Sequence, residues 1–139
     1  MITETKTFIE EALVAAGFKS GKITTTEESK FDADNDIRPV SAFYGVKIEN
    51  LTAIDHAGNV KQPVLKVLII IADYDQENAV KKILNIDDEL NGKYVEYADA
   101  RFTMEDEWRL VGDPVPLVIN KKECSYAIEY QAKVTIRRT

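Results

Sequence analysis

The chain has 139 residues, of which 45% are hydrophobic and 30% charged, and this composition predicts one folded domain over residues 1–139 rather than a disordered protein. Its formal net charge of −6, with basic residues scattered along the chain, argues against tight or sequence-specific binding of nucleic acid. No apolar run approaches the ~20 residues needed to cross a bilayer, and the first residues lack the basic and apolar regions of a signal peptide, so we expect no membrane association.

The first predicted element is a helix over Thr3–Ala16, where apolar residues recur at helical spacing. Thr3 is a plausible N-cap, and Thr7–Glu10 offers a competing capping box one turn later. Gly17 is well placed to end the helix in a left-handed conformation.

A polar loop and a pair of strands are predicted next. The loop covers residues 19–35, with a short strand around Ile23, and the alternation over residues 40–48 predicts a strand. Residues 51–62 contain a His-Ala-Gly-Asn turn signal, so they are expected to form an extended hairpin that leads into a strand over residues 64–72.

The most apolar part of the chain is the strand at 64–72, which predicts burial on both faces, by a helix on one and by a second sheet or a neighbouring subunit on the other. An amphipathic helix over residues 78–90 follows, and either Asp73 or Asp75 is expected to cap it. Asn91-Gly92 is expected to end this helix. Its buried stripe is predicted to contain Ala79, Val80, Ile83, Leu84, Ile86 and Leu90.

The last third is predicted to be β-structure, broken by a proline-containing turn at residues 113–116. Strict alternation over Cys124–Ile136 predicts a strand of about 40 Å, which must bend or extend beyond the domain. The order helix, strands, helix, strands indicates an α+β fold with two main helices packed on an antiparallel or mixed sheet.

Several carboxylates invite a chemical interpretation, which the surrounding sequence does not support. Residues 32–36 carry acids at alternate positions, as a calcium loop does, but Ile37 and Phe43 stand where that loop needs Gly and Glu. A solvated acidic loop is the preferred interpretation. The acids at 73 and 75 and those at 105–107 have no nucleophile, convergent histidine or phosphate loop beside them, so we expect helix caps and a surface patch, respectively.

Single copies of three reactive or aromatic residue types also point to structural roles. His56 lies in a predicted turn, and one histidine with one distant cysteine is a poor start for a metal site. Cys124 cannot form an internal disulfide, which favours a reducing compartment, and its place on the apolar parity of a strand predicts a buried thiol. Trp108 is expected to be a core or subunit-contact aromatic.

The middle and end of the chain resemble a family of proteins from long-tailed bacteriophages, the tail terminator and head–tail joining (neck) proteins. Its loose motifs are a Pro-containing strand, an apolar strand that ends in Tyr-Asp, an amphipathic helix, a Trp in a β-segment, a Pro-containing turn and a closing strand. The matching segments are Arg38-Pro39-Val40, Val67–Asp75, Ile83–Leu90, Trp108, Pro114-Val115-Pro116 and Ala127-Ile128-Glu129-Tyr130.

The resemblance implies a structural virion protein with no enzymatic activity and no cofactor or metal. Such a protein is similar to the subunit of a hexameric ring that caps the tail tube, stops its polymerisation and offers a docking face for the head. Its implied partners are copies of itself, the tail tube protein and a head-completion or stopper protein. Its implied locations are the virion tail or neck and, during assembly, the host cytoplasm.

Two groups of residues are candidates for contacts in such a ring. The tip of the predicted hairpin (His56, Gly58, Asn59) and the end of the last strand (Lys133, Arg137 and the residues up to Thr139) are expected to reach a neighbour or the tube. Glu105, Asp106 and Glu107 are candidates for an acidic wall of a DNA conduit, where like charge repels phosphates.

Three alternatives remain open at this stage. The first is another neck or head-completion protein of the same fold, and the second is a small α+β module that binds a ligand or protein. The third is a hydrolase that uses the acids at 73 and 75 or at 105 and 107.

Overall fold

The computed structural model describes residues 1–25, 39–51, 54 and 56–138. The calcium-loop pattern at 32–36 and Arg38 lie outside the described residues. The described elements are α1 (Ile2–Ala16), a 3-10 turn (Ser20–Lys22), β1 (Ile23–Thr25), β2 (Ser41–Glu49), β3 (Val60–Lys61), β4 (Val64–Asp73), α2 (Gln76–Leu90), β5 (Phe102–Met104), β6 (Arg109–Leu110), β7 (Val115–Ile119) and β8 (Cys124–Arg137). They confirm the predicted α+β class, with two helices and a mixed sheet.

Helix α1 begins earlier than its sequence signals suggest. Met1, not Thr3, occupies the N-cap position, and the Thr5 hydroxyl donates to the Met1 carbonyl at 2.8 Å. The Thr7 hydroxyl donates to the Thr3 carbonyl inside the helix, so the expected capping box at Thr7 is wrong. At the other end Gly17 adopts φ 116°, the left-handed conformation expected of it.

Three long strands form the centre of the sheet. β2 pairs antiparallel with β4, and β4 pairs antiparallel with β8. In this register Tyr44, Ile69 and Ile128 lie side by side on one face, which the two helices cover, and all three are buried. The helix-covered face therefore holds one parity of the apolar strand β4 and the alternating apolar residues that the sequence predicts for β8. On the other face of β4, Ile70 is buried but Leu68 is 42% exposed, so the predicted burial of both faces is wrong at Leu68.

Strand β8 does not extend beyond the domain, because both of its edges are paired with other strands of the chain along most of its length. On one edge β4 and β3 follow a single register, interrupted at Gln62-Pro63, where the proline has no N–H to donate. On the other edge lie β7, β6 and β5 in turn. The connection between β2 and β4 is consequently not a free hairpin arm, since β3 within it joins β8.

Helix α2 follows β4 directly. The Asp75 carboxylate accepts from the Asn78 backbone N–H at 2.8 Å, which selects Asp75 over Asp73 as the N-cap. Ala79, Ile83, Ile86 and Leu90 are buried, but Val80 and Leu84 are exposed, so the predicted stripe was too wide. The chain leaves the helix through Asn91 and Gly92, and Gly92 has a positive φ of 78°.

Candidate assembly surface

Strand β7 lies at the outer edge of the sheet, and each of its five residues is exposed. We call this segment, Val115–Ile119, the β7 ridge. The exposed fractions are 55% for Val115, 46% for Leu117, 38% for Val118 and 52% for Ile119. An edge strand usually buries one of its two faces, so an apolar strand exposed on both is a candidate contact surface.

The local geometry of the β7 ridge favours contacts through side chains. Pro116 pairs with Tyr126 and Val118 pairs with Ser125, so Leu117 is an extra residue that forms a β-bulge. Pro116, like Pro114 just before the strand, has no N–H with which to extend the sheet. The ridge is therefore better suited to insert apolar side chains into a groove than to add a further strand.

A tight turn after the ridge presents two lysines. The Asn120 side-chain oxygen accepts from the backbone N–H groups of Lys122 (2.8 Å) and Glu123 (2.9 Å), and the Asn120 N–H donates to the Glu123 carbonyl. Lys121 and Lys122 are exposed, and neither forms an ion pair within the described part of the chain. The apolar ridge thus ends in two positive charges.

The structure brings part of the predicted contact group together. Val60 pairs with Arg137, and the Arg138 N–H donates to the Asn59 carbonyl at 2.8 Å, so the hairpin tip lies beside the end of β8. Gly58 and Asn59 line a cleft of about 290 Å³ there with Lys61, Ile136 and Arg138. His56 is exposed at the same turn.

Lys133 and Arg137 do not form the expected arm. Both are exposed, but they lie within β8, where Lys133 pairs with Val64 and the stretch up to Arg137 pairs with β3 and β5. Thr139 lies outside the described residues. A contact role for these side chains stays a prediction, but the segment is a paired strand and not a free extension.

The acidic run at 105–107 lies between β5 and β6, on the same side of β8 as the β7 ridge. The Glu105 N–H donates to the Lys133 carbonyl, and Glu105 is exposed while Asp106 and Glu107 are half-buried. The three acids therefore form a connection at the sheet edge. Their role in a DNA conduit stays a prediction.

Asp73 and Asp75 hold the β4–α2 junction in shape. Asp73 is buried, accepts from the Tyr74 N–H at 2.7 Å and forms an ion pair with Lys82 Nζ, also at 2.7 Å. Asp75 caps α2, as described above. Both carboxylates thus have structural partners, which accounts for them without acid–base chemistry.

Cys124 and Trp108, the two remaining residues considered for chemistry, lie in the core. Cys124 is a buried free thiol, as predicted. Trp108 is fully buried, and its backbone exchanges hydrogen bonds with Gly92 and Lys93. Trp108 is therefore a core aromatic rather than a subunit contact.

On the face of the sheet away from the helices, Glu49 lies between two lysines. Its carboxylate is 2.9 Å from Lys66 Nζ and 3.1 Å from Lys47 Nζ. The hydrogen bond from Lys66, followed by that from Lys47, lowers the pKa of Glu49, and Glu49 in turn raises the pKa of Lys66. Glu129 is a second carboxylate near Lys66, so the two lysines and the two glutamates balance and leave little net charge to attract a ligand at this position.

The sequence interpretation missed the β7 ridge. The turn predicted at residues 113–116 overlaps the start of a run of apolar residues, Val115-Pro116-Leu117-Val118-Ile119, that does not alternate with polar ones. Prolines beside a short apolar run are typical of an edge strand, and that signal was available.

Comparisons with known proteins add no family. The sequence matches no protein-family model, and no curated protein matches it at a significant level. Among the described residues no group of three or more His, Cys, Asp or Glu side chains is placed to hold a metal ion. None of the helices in that part of the chain is long and apolar enough to cross a membrane.

Proposed function

We propose that this protein is a structural assembly subunit that forms the terminating ring of a bacteriophage tail. In this role it caps the tail tube, stops its polymerisation and offers a docking interface to the head. The proposal joins the resemblance in the sequence to one observation, the exposed apolar β7 ridge. A subunit role without catalysis or cofactor agrees with the structural partners of the acids at 73 and 75.

The β7 ridge supports assembly because about half of the surface of each of its aliphatic residues stays exposed in the isolated subunit. Its four large aliphatic residues together expose on the order of 300 Å², which reaches the size of the largest apolar patch on a typical soluble monomer, and such patches are often functional. The ridge lies at one edge of the sheet, and a contact between it and a different surface of a second copy is head-to-tail; head-to-tail contacts that close form rings.

The test measures the molar mass of the purified protein by light scattering over a wide concentration range, with negative-stain images of the same samples. We expect closed rings of about six subunits with a central hole, as the resemblance implies. The same protein, added to tail tube protein during polymerisation, should shorten the tubes and appear at one end. Tubes of unchanged length without bound protein would refute the function.

A second candidate function is a small binding module. A cleft of about 550 Å³ lies between the segment after α2 and β5, and Tyr94, Tyr97, Phe102 and Met104 line part of it. This volume lies within the range of small-molecule sites. A stable monomer that leaves tube growth unchanged and binds a small apolar ligand in this cleft would favour the module over the ring subunit.

A further inference from the structure

We propose that the β7 ridge of one subunit inserts into a groove between α1 and β1 of a second copy of this chain, at the opposite edge of the sheet. The inference rests on the proposed ring-forming function and assigns its interface. The groove, about 360 Å³ in volume, is lined by Thr7, Glu10, Glu11, Val14, Ser20 and Ile23, and we call it the α1–β1 groove.

The shapes and polarities of the two surfaces match. Val14, which is 49% exposed, and the half-buried Ile23 give the α1–β1 groove an apolar floor, and the aliphatic stems of Glu10 and Glu11 extend it. The β7 ridge offers aliphatic side chains on both of its faces, and Leu117, the extra residue of the bulge, is 46% exposed. An apolar ridge that enters an apolar groove removes both from water.

The charges at the rims also match. Glu10 and Glu11 are exposed beside the α1–β1 groove, and Glu11 has no ion-pair partner among the described residues. Lys121 and Lys122 follow the β7 ridge after Asn120, and neither forms an ion pair within the described residues. Docking would place two lysines near two glutamates, which favours the correct register and speeds association at low salt.

The placement of the two surfaces fits a closed ring. In the sheet order β1-β2-β4-β8-β7 the groove lies at the first strand and the ridge at the last, so about 19 Å of sheet separates them. A subunit that uses both edges binds one neighbour on each side, as a heterologous ring requires. A two-fold contact of the ridge with itself would bring lysines together, and one of the groove with itself would bring glutamates together, so like charges disfavour both.

The experiment uses three single variants of equally exposed aliphatic residues. Leu117→Asp disables the ridge, Val14→Asp disables the groove, and Leu84→Asp on α2, where Leu84 is 59% exposed, is the matched control. Light scattering should give monomers for the first two and wild-type assemblies for the third. Circular dichroism confirms that each variant is folded.

Mixing the two disabled variants provides the decisive measurement. Each retains one working surface, so the equimolar mixture should form a 1:1 dimer and nothing larger. If Val14→Asp assembles like the wild type, the groove assignment is overturned while ring formation stands. A mixture that remains monomeric, or a Val14→Asp protein that pairs with itself, overturns head-to-tail docking.

Charge exchange tests the same register without touching the apolar surface. Glu11→Lys and Lys122→Glu should each weaken association at least tenfold at low salt, and the double variant should restore it. Absence of restoration would overturn the proposed register. A wild-type protein that is monomeric at every concentration would overturn this interface, whereas the proposed function would still be decided separately by the tube-capping assay.

Discussion

The ion pair between Asp73 and Lys82 offers the sharpest test of how the fold is held together. It joins the end of β4 to the second turn of α2, and the side chains are 3% and 18% exposed, respectively. Lys82 Nζ also lies 5.6 Å from the centre of the Phe18 ring, just beyond α1. One ammonium group therefore connects the sheet to both helices.

Replacing Lys82 with alanine leaves the buried Asp73 carboxylate with only the Tyr74 N–H as a hydrogen-bond donor within the described part of the chain. Breaking a buried pair costs ~3–5 kcal/mol, and the lower end applies because Lys82 is partly exposed and the backbone hydrogen bond remains. The lost contact with Phe18 adds about 0.5 kcal/mol. We expect Lys82→Ala to lower the free energy of unfolding by about 3 kcal/mol, and Tm by roughly 10 °C.

The neighbouring Lys81 provides a matched control. It forms an exposed pair with Glu77 one turn earlier on α2, at 3.5 Å, and such pairs contribute about 0.5 kcal/mol or less. Urea unfolding of Lys81→Ala and Lys82→Ala should therefore give clearly different midpoints. In an Asp73→Ala background, Lys82→Ala should cost about 1 kcal/mol. Equal losses for the two lysine variants, or strictly additive losses at 73 and 82, would refute the reasoning.

Two further predictions concern the helix end and acid pH. Gly17→Ala should lower the free energy of unfolding in urea by about 1 kcal/mol, because the φ of residue 17 is 116°. Gly21→Ala is the control: an added Cβ meets open space there, so stability should change by less than about 0.5 kcal/mol. Similar losses for the two variants would contradict the backbone argument. Hydrogen bonds from Arg101 lower the pKa of Asp99 to about 2, below its usual 3.8, so this stabilisation is complete above pH ~4 and is lost as the pH falls towards 2. NMR titration should show the low pKa, and a normal pKa in the wild type would contradict the pair. Arg101→Ala should raise the pKa of Asp99 towards its usual value without fully restoring it, because the backbone N–H of residue 101 still donates to Asp99 Oδ1.

The parts of the fold that the sequence predicted well depend on local patterns. The alternation in β8 and the spacing of Ile83, Ile86 and Leu90 in α2 are direct consequences of strand and helix geometry. Where two nearby residues competed for one role, local pattern was insufficient. Asp75 and Asp73 are both plausible caps, and only the course of the chain decides which carboxylate meets the Asn78 N–H.

The features that could not be predicted depend on contacts between distant segments. β3 pairs with Arg137, more than seventy residues away, and no turn signal near Val60 specifies that partner. Val80 and Leu84 were expected to be buried but are exposed. The width of a buried stripe depends on what the helix packs against, which the helix sequence does not contain. The β7 ridge was missed for the same reason, since an apolar run looks alike whether a core or a partner covers it.

The exposure of β7 follows from the dimensions of the two layers. A helix with its side chains is ~10 Å wide and strands lie ~4.8 Å apart, so two helices cover about four strands. Here α1 lies against β2 and α2 against β4 and β8, and β7 is one strand further out.

Solvent-exposed positions such as those of the β7 ridge tolerate polar residues with changes in stability within about 0.5 kcal/mol, so the stability of the subunit does not require their apolar character. An unprotected apolar edge also promotes aggregation, which is a disadvantage for a protein that works as an isolated monomer. Contact with a partner subunit gives these aliphatic side chains a role that the isolated fold does not. We therefore expect Leu117→Asp to abolish association and to leave the midpoint of urea unfolding almost unchanged.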